Sequence, residues 1–375
     1  MKLIILLIAS IVLNGCVTGV RSIRSDEKAC RSGDTDACVN LGAAYMTGYQ
    51  VQRDSVKAIS LFQLGCESGH AKGCHDLGVA YAKGIGVQQD IYKAVELYQK
   101  SCDGGYLIAC GSLAVYYRRG QGVTKNYARA EALLEKACDG NYANACDNLG
   151  LMWELGDHVV TDVPAAIKLY EKACDGGSSS GCFHLANDYR TGHGVEQNYT
   201  KAIALSKKAC EGTSIMGCNN LGWMYEKGLG VDQDYKKAFA IYTMACSVNG
   251  EDAEACNNLA DKYRRGLGVD QDYKKAAQLY IKACELNSSH ACTGAGESYY
   301  KGQGVEKNLR LAMESYQKGC DGGHGKACAY IADMYLKGDG IDQSEDSALT
   351  YYNKGCRFKE ANACDAATKL NDESQ

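Results

Sequence analysis

Cysteine recurs as a pair about every 36 residues, ten times along the chain, and that period limits the fold more than any other property of the sequence. The pairs are Cys30 with Cys38, Cys66 with Cys74, Cys102 with Cys110, Cys138 with Cys146, Cys174 with Cys182, Cys210 with Cys218, Cys246 with Cys256, Cys284 with Cys292, Cys320 with Cys328 and Cys356 with Cys364. A repeat of this length means a stack of like units, each touching only its neighbours. The 375 residues therefore form one array rather than two or three globular domains.

Counting from the second cysteine of each pair exposes a helix, here helix A. Three residues on stand Leu41, Leu77, Leu113, Leu149, Leu185, Leu221 and Leu259, then Ala295 and Ile331. The fourth is always Gly or Ala, and the seventh is aromatic, from Tyr45 through Trp153 to Tyr335. Offsets of three, four and seven make one face of an α-helix. A glycine at offset ten, from Gly48 to Gly338, stops it. After a short loop comes Asp54, Asp90, Asn126, Asp162, Asn198, Asp234, Asp272, Asn308 or Ser344. Each is a good N-cap for a second helix, B, because its oxygen accepts the open N–H groups of the first turn. Pro164, the lone proline, falls in such a first turn. Helix B carries Ala eight before the next cysteine, from Ala58 to Ala348. The unit is an αα-hairpin that cannot bury its Leu, Tyr and Ala faces alone, so the expected fold is an all-α, right-handed superhelical solenoid of about nine hairpins.

The pattern A-C-x-x-L-G-x-x-Y-x-x-G-x-G-V-x-x-D-Y-x-K-A-x-x-L-Y-x-K-A-C resembles Sel1-like repeats, relatives of the tetratricopeptide repeat. With a cysteine pair per repeat it is similar to the Helicobacter cysteine-rich protein family, over residues 30–364. Local departures are Tyr49-Gln50 in the first loop, GDHVVTD in the fourth, and Ser315 and Tyr351 in place of the helix-B leucine.

Two cysteine frameworks suit hairpins. Pairing at the short step joins the end of helix B to the next helix A; pairing at the long step joins, for example, Cys38 to Cys66. The long step strands Cys30 and Cys364, whereas the short step leaves neither unpaired, so the short step is expected at all ten pairs. Ten disulfides belong in an oxidising compartment. Cysteine and histidine at zinc-ligand spacing are absent, and neither a metal nor a cofactor is expected.

The N-terminal segment MKLIILLIASIVLNGC reads as an export signal over residues 1–15, its apolar run being short for a bilayer span. Leu13-Asn14-Gly15-Cys16 resembles the lipobox of bacterial lipoproteins, which implies acylation of Cys16. Cys16 is also the odd cysteine of 21. The alternative is ordinary secretion with Cys16 removed. A linker over 16–29, the array over 30–364 and a polar cap over 365–375 complete the expected organisation. The location is then periplasmic or outer-membrane lipoprotein, otherwise secreted, with the lipid as the one membrane contact.

Net charge is −4 and spread without runs, which excludes the basic stripe of a nucleic-acid binder. The expected partner is a protein, a peptide or a cell-wall fragment. Its candidate groove is a helix-A stripe at offsets two, six and nine, taken to face away from the Leu/Tyr seam. It includes Tyr116, Arg119, Asn148, Met152, Asn220, Met224, Lys227, Asn258 and Arg265. Trp223, at the adjoining offset of five, is included for its size, and Tyr300 completes the set. The family likeness also implies a penicillin-binding or weak β-lactamase activity as the alternative function. Ser-x-x-Lys occurs at Ser25, Ser298 and Ser315, but neither S-D-N nor K-T-G accompanies it, and chance alone supplies one or two such matches. H-E-x-x-H is absent, and the seven histidines fall at unrelated repeat positions, reading as isolated surface residues. Asn287 in E-x-N-x-S is the better of two glycosylation candidates; Asn198 is already explained as a cap.

Overall fold

The computed structural model describes residues 22–157, 161–247 and 252–373. The export segment, Cys16 and the start of the expected linker lie outside these residues. The described residues form twenty α-helices and no strand, and the chain divides into two units, one ending at Leu169 and one beginning at Tyr170. In the first unit, A helices run Thr35–Thr47, Ala71–Lys83, Leu107–Arg119 and Ala143–Leu155. In the second they run Ser179–Thr191, Ile215–Lys227, Ala253–Arg265, Ser289–Lys301, Gly325–Lys337 and Ala361–Glu373. Helix B alternates with them, from Ile23–Arg31 to Glu345–Arg357, and each unit is an αα solenoid of stacked hairpins.

Local chemistry sets the boundaries. The Asp54, Asp90, Asn126, Asn198, Asp234, Asp272 and Asn308 oxygens accept an N–H three residues on at 2.9–3.0 Å. Helix A ends where glycine takes the left-handed conformation, as at Gly84 (φ +67°), whose N–H reaches the Ala80 carbonyl. Just before the cap of helix B, a glutamine ties the loop back: Gln89, Gln197, Gln233, Gln271 and Gln343 each donate to a helix-A carbonyl at 2.8–2.9 Å.

Packing is set by two seams rather than one. The leucines at offset three are at most 6% exposed, and the helix-B alanines at most 2%. Offset four must be small because an aromatic ring of helix B, four residues before its cysteine, lies against it. A Cβ on Gly42 would come within 2.7 Å of Phe62, on Gly222 within 2.7 Å of Tyr242, and on Gly296 within 2.5 Å of Tyr316. The same helix-B residue meets offset six of the following helix A. Tyr98 stands 5.5 Å from Tyr116, and Tyr316 shares a buried cluster with Met334. Ser206, where most repeats carry an aromatic, leaves room that Met224 fills, its Sδ accepting the Ser206 hydroxyl at 3.9 Å. This second seam corrects the expected stripe: Met152 and Met224 are 1% and 0% exposed and face the core. A helix A such as Ala71–Lys83 touches both its own helix B and the preceding one, so its buried arc is wider than a one-sided amphipathic pattern implies.

The cysteines pair at the short step throughout. Disulfides join Cys30 to Cys38, Cys66 to Cys74, Cys102 to Cys110, Cys138 to Cys146 and Cys174 to Cys182. They continue from Cys210 to Cys218, Cys246 to Cys256, Cys284 to Cys292, Cys320 to Cys328 and Cys356 to Cys364. Their Cα–Cα distances of 4.4–4.8 Å are within the range such a bridge needs. The helix-A sulfurs of Cys74, Cys110, Cys146, Cys182, Cys218, Cys256, Cys292 and Cys328 belong to residues at most 4% exposed, which shields these bridges from thiols in solution. Each bridge fastens the end of one hairpin to the start of the next, across the boundary where a solenoid would fray. Lysines add to it: Lys100 Nζ donates to the Cys66 carbonyl at 2.9 Å and Lys136 Nζ to that of Cys102 at 3.1 Å, each quieting a helix C-terminus one repeat back. Asn287 sits exposed in a B-to-A turn at φ +67°, where Gly33, Gly69, Gly105, Gly177 and Gly323 stand in other repeats and Asn141, Thr213 and Lys359 share its conformation.

Candidate ligand groove

With offsets three, four, six and seven committed to packing, a helix A has offsets one, two, five, eight and nine left to face a ligand. In the second unit these offsets on Ile215–Lys227, Ala253–Arg265 and Ser289–Lys301, with Lys262 and Ser298 at offset six, line a cavity of about 330 Å³ that His324 and Lys326 also line. Trp223, Lys227 and Asn258 from the sequence set lie on it. Trp223 is half-buried, with the Arg190 guanidinium 5.1 Å from its ring.

The walls are an ordered ion network. Lys262, 1% exposed, places Nζ 2.5 Å from Glu226 Oε2, and the Tyr242 hydroxyl donates to the same oxygen at 3.4 Å. Asp261 binds Arg264 at 2.5 Å, Arg265 at 3.2 Å and Lys262 at 3.5 Å. Burial alone would raise the Asp261 carboxyl, but these cations, Arg264 foremost, hold it below the usual carboxylate range. Glu297 follows the same logic. Burial works to raise it, while Lys326 at 3.1 Å, the Tyr330 hydroxyl at 2.9 Å and Lys301 at 3.3 Å bring it below its ordinary value. Burial pushes the Tyr280 phenol up to about 12, aided by Asp261. Also on this wall, Thr293 Oγ1 lies 2.6 Å from His324 Nδ1, and the His290 and His324 ring centroids are 4.4 Å apart. Burial, then His290 and Lys326, push the His324 imidazole down to about 4. The wall thus offers fixed donors and acceptors.

The other sequence candidates scatter. Asn220 turns inward, its amide donating to Ser206 Oγ at 3.1 Å, and Asn148 donates to the Asn144 carbonyl of its own helix at 2.9 Å. Tyr116 packs on Tyr98, Arg265 is bound to Asp261, and Arg119 is exposed in the last turn of its helix. Tyr300 lines a separate cavity of about 90 Å³ with Tyr316 and Asp333, its hydroxyl bonded to Asp339. Ser298 lines the groove cavity but is 7% exposed and donates to the Gly294 carbonyl at 2.9 Å, and Ser315 donates to that of Leu311 at 2.8 Å. Ser25 is exposed in the first described helix, its N–H bonded to Ser22 Oγ at 3.3 Å.

Glu226, Asp261, Glu297, Thr293, His290, His324 and Lys326 were absent from the sequence set. The histidines correct the expectation of isolated surface residues at unrelated positions, since His290 and His324 meet here and His324 shares its repeat position with His70. The signal was in the offset-five column, where Ala43, Val79, Val115 and Leu151 give way to Asn187, Trp223, Asp261, Glu297 and Asp333.

The profile of the family described as Sel1 repeat matches residues 35–70, 71–106, 107–142, 143–178, 179–214, 215–249, 253–288, 289–324 and 325–357. A Sel1 repeat protein from Oxalobacter formigenes is similar in structure, with a TM-score of 0.58 and 23% identity over 83% of this chain and 90% of that one. A protective antigen of uropathogenic Escherichia coli, c5321, gives a TM-score of 0.52 and 21% identity over 94% of both. Cysteine-rich protein B of Helicobacter pylori is 34% identical over 37% of this chain and 98% of its own, with a TM-score of 0.30. Comparison with curated proteins gives no significant match. With nine matched repeats spanning most of its length, the chain belongs to the Sel1 repeat family.

Proposed function

We propose that the protein is an exported, disulfide-stapled scaffold that binds an extracytoplasmic protein, peptide or cell-wall fragment in the groove between Trp223 and Lys326. The observation that carries this reading is the groove wall itself. Three successive A helices place charged and amide side chains on this wall, most of them at offsets that packing leaves open. Ten disulfides suit an oxidising environment outside the cytoplasm, and among the described residues no helix is long and apolar enough to cross a membrane. Attachment through an acylated Cys16 remains part of the proposal; Cys16→Ser should then release the protein from the membrane fraction and abolish palmitate labelling.

The test is selection of short random peptides, and of peptidoglycan fragments, against the full chain. Binders should lose about 1–2 kcal/mol of affinity to Trp223→Ala, as an aromatic anchor does, and tolerate Ser25→Ala, Ser298→Ala and Ser315→Ala. Hydrolysis of nitrocefin, with one serine acylated and activity lost in its alanine variant, would replace this reading by the β-lactamase one. The geometry speaks against that outcome at Ser298, whose hydroxyl is donated within its helix while Lys301 is drawn to Glu297.

A further inference from the structure

Two histidines occupy the same place in the repeat, four residues before the second cysteine of a pair, and are used differently. His70 caps the helix Ala71–Lys83: Nδ1 accepts the Gly73 N–H at 3.1 Å, and Nε2 lies 2.7 Å from Asp36. Both of its nitrogens are engaged. His324 precedes Gly325–Lys337 in the same way but makes no cap bond. Its ring is turned instead onto Thr293 and His290, on the groove wall. A cap forgone at one repeat and kept at its counterpart is a local rule broken, and such breaks concentrate at functional sites.

The proton on this ring can be placed. Thr293 Oγ1 is 3.0 Å from the Ser289 carbonyl, which can only accept, so the single hydroxyl hydrogen goes there. The same oxygen then accepts from His324 Nδ1–H at 2.6 Å. With the imidazole brought down to about 4 by burial, His290 and Lys326, the ring is neutral near pH 7 and Nε2 carries a lone pair. Among the described residues Nε2 has no hydrogen-bond partner. A metal cation is a poor occupant: Lys326 stands beside the ring, and among the described residues no third acid, Cys or His ligand joins the two histidines. An uncharged donor suits the lone pair, and the Lys326 ammonium beside it suits a carbonyl. An N–H and a C=O side by side are what a peptide main chain presents.

We propose that His324 Nε2 is the acceptor of an anchor subsite that takes a main-chain N–H of a bound peptide at the Lys326 end of the groove. This rests on the groove reading above and narrows it from macromolecular fragments to an extended peptide. Thr293 is a positioning residue that fixes which nitrogen faces the ligand.

Peptides selected from a random library on the full chain are the probe, with affinity measured for wild type, His324→Phe, His324→Asn and Trp223→Ala. His324→Asn supplies a residue able to cap the following helix and controls for folding. We expect about a tenfold loss with His324→Phe, the usual effect of one lost hydrogen bond. Methylating one peptide amide should cost the same with wild type and nothing further with the variant. Peptides weakened by Trp223→Ala but indifferent to His324→Phe would overturn the subsite and leave the groove standing. Selection of no peptide, or only of peptides indifferent to both, would overturn both. Nitrogen-15 spectra of the free protein give a check without ligand: the His324 proton should reside on Nδ1 in wild type and lose that preference in Thr293→Val, and a proton on Nε2 in wild type contradicts the proposal.

Discussion

The two units share one packing plan and differ in one column of the repeat. At offset five of helix A the first unit carries Ala43, Val79, Val115 and Leu151, all aliphatic and all half-buried. At the same place the second carries Asn187, Trp223, Asp261, Glu297 and Asp333, equally half-buried. Leucine or its substitutes at offset three, small residues at offset four, aromatics at offset seven and glycine at offset ten run through both. A solenoid fixes the positions that join neighbours and frees the rest, so the free column is where the two units acquire different surfaces. Here the second unit has become an ion-lined groove.

The largest effect should come from the groove wall. Lys262→Ala leaves Glu226 half of a buried ion pair, at a cost of about 3–5 kcal/mol in unfolding. Replacing both residues by apolar ones of similar size should restore most of that loss. A Lys262→Ala protein as stable as wild type would mean the wall is not the ordered network described.

The staples should not distinguish the halves. Each bridge closes about nine residues, and losing one costs about 2.5 kcal/mol in the chain-entropy account. One double variant, Cys138→Ala with Cys146→Ala, opens a bridge in the first unit; another, Cys284→Ala with Cys292→Ala, opens one in the second. Denaturant unfolding of the two proteins should therefore show similar losses. A much larger loss in one unit would mean that stability, not surface, separates them.

Smaller still is overpacking of the shared seam. Gly222→Ala pushes a methyl group against the Tyr242 ring, at about 1–3 kcal/mol. Four repeats already carry that methyl at the same offset, Ala114 and Ala186 opposite Leu134 and Ser206, Ala260 and Ala332 opposite Tyr280 and Tyr352, so the loss should fall at the lower end of that range. Gly222→Ala combined with Tyr242→Leu should then lose less than the sum of the two single changes.

The smallest effect is a pH dependence confined to the second unit. The folded His324 pKa, about 4, lies below its ordinary 6.5, so the unfolded chain binds the proton first as pH falls. Stability from this group is present above pH 6.5 and is lost between there and pH 4. Asp261 and Glu297, held below their ordinary values, stabilise above the normal carboxylate range and fail only at lower pH. His324→Gln should flatten the melting temperature over the upper interval and leave the lower one unchanged.

Helix positions, caps and the short cysteine step could all be read from the sequence, because each depends on residues close in the chain. The groove could not be read in the same way. Met152 and Met224 looked exposed because helix A was taken as packed on one side, and their burial depends on the preceding helix B. A clue was available: Phe62, Tyr98, Tyr170, Tyr242, Tyr280, Tyr316 and Tyr352 mark a second seam at a fixed place in the repeat. The Glu226–Lys262 pair and the His290–His324 contact each join residues about one repeat apart, and only the stacking brings them together.

The most direct test of a groove confined to the second unit uses two lysines at the same offset. Lys83 and Lys227 both stand nine residues after the second cysteine of their pair, Cys74 and Cys218, in the last turn of helix A. A photo-crosslinking residue placed at either site, in cells that make the protein, should label a partner from position 227 and little or nothing from position 83. Equal labelling from both sites, or labelling from 83 alone, would contradict the account.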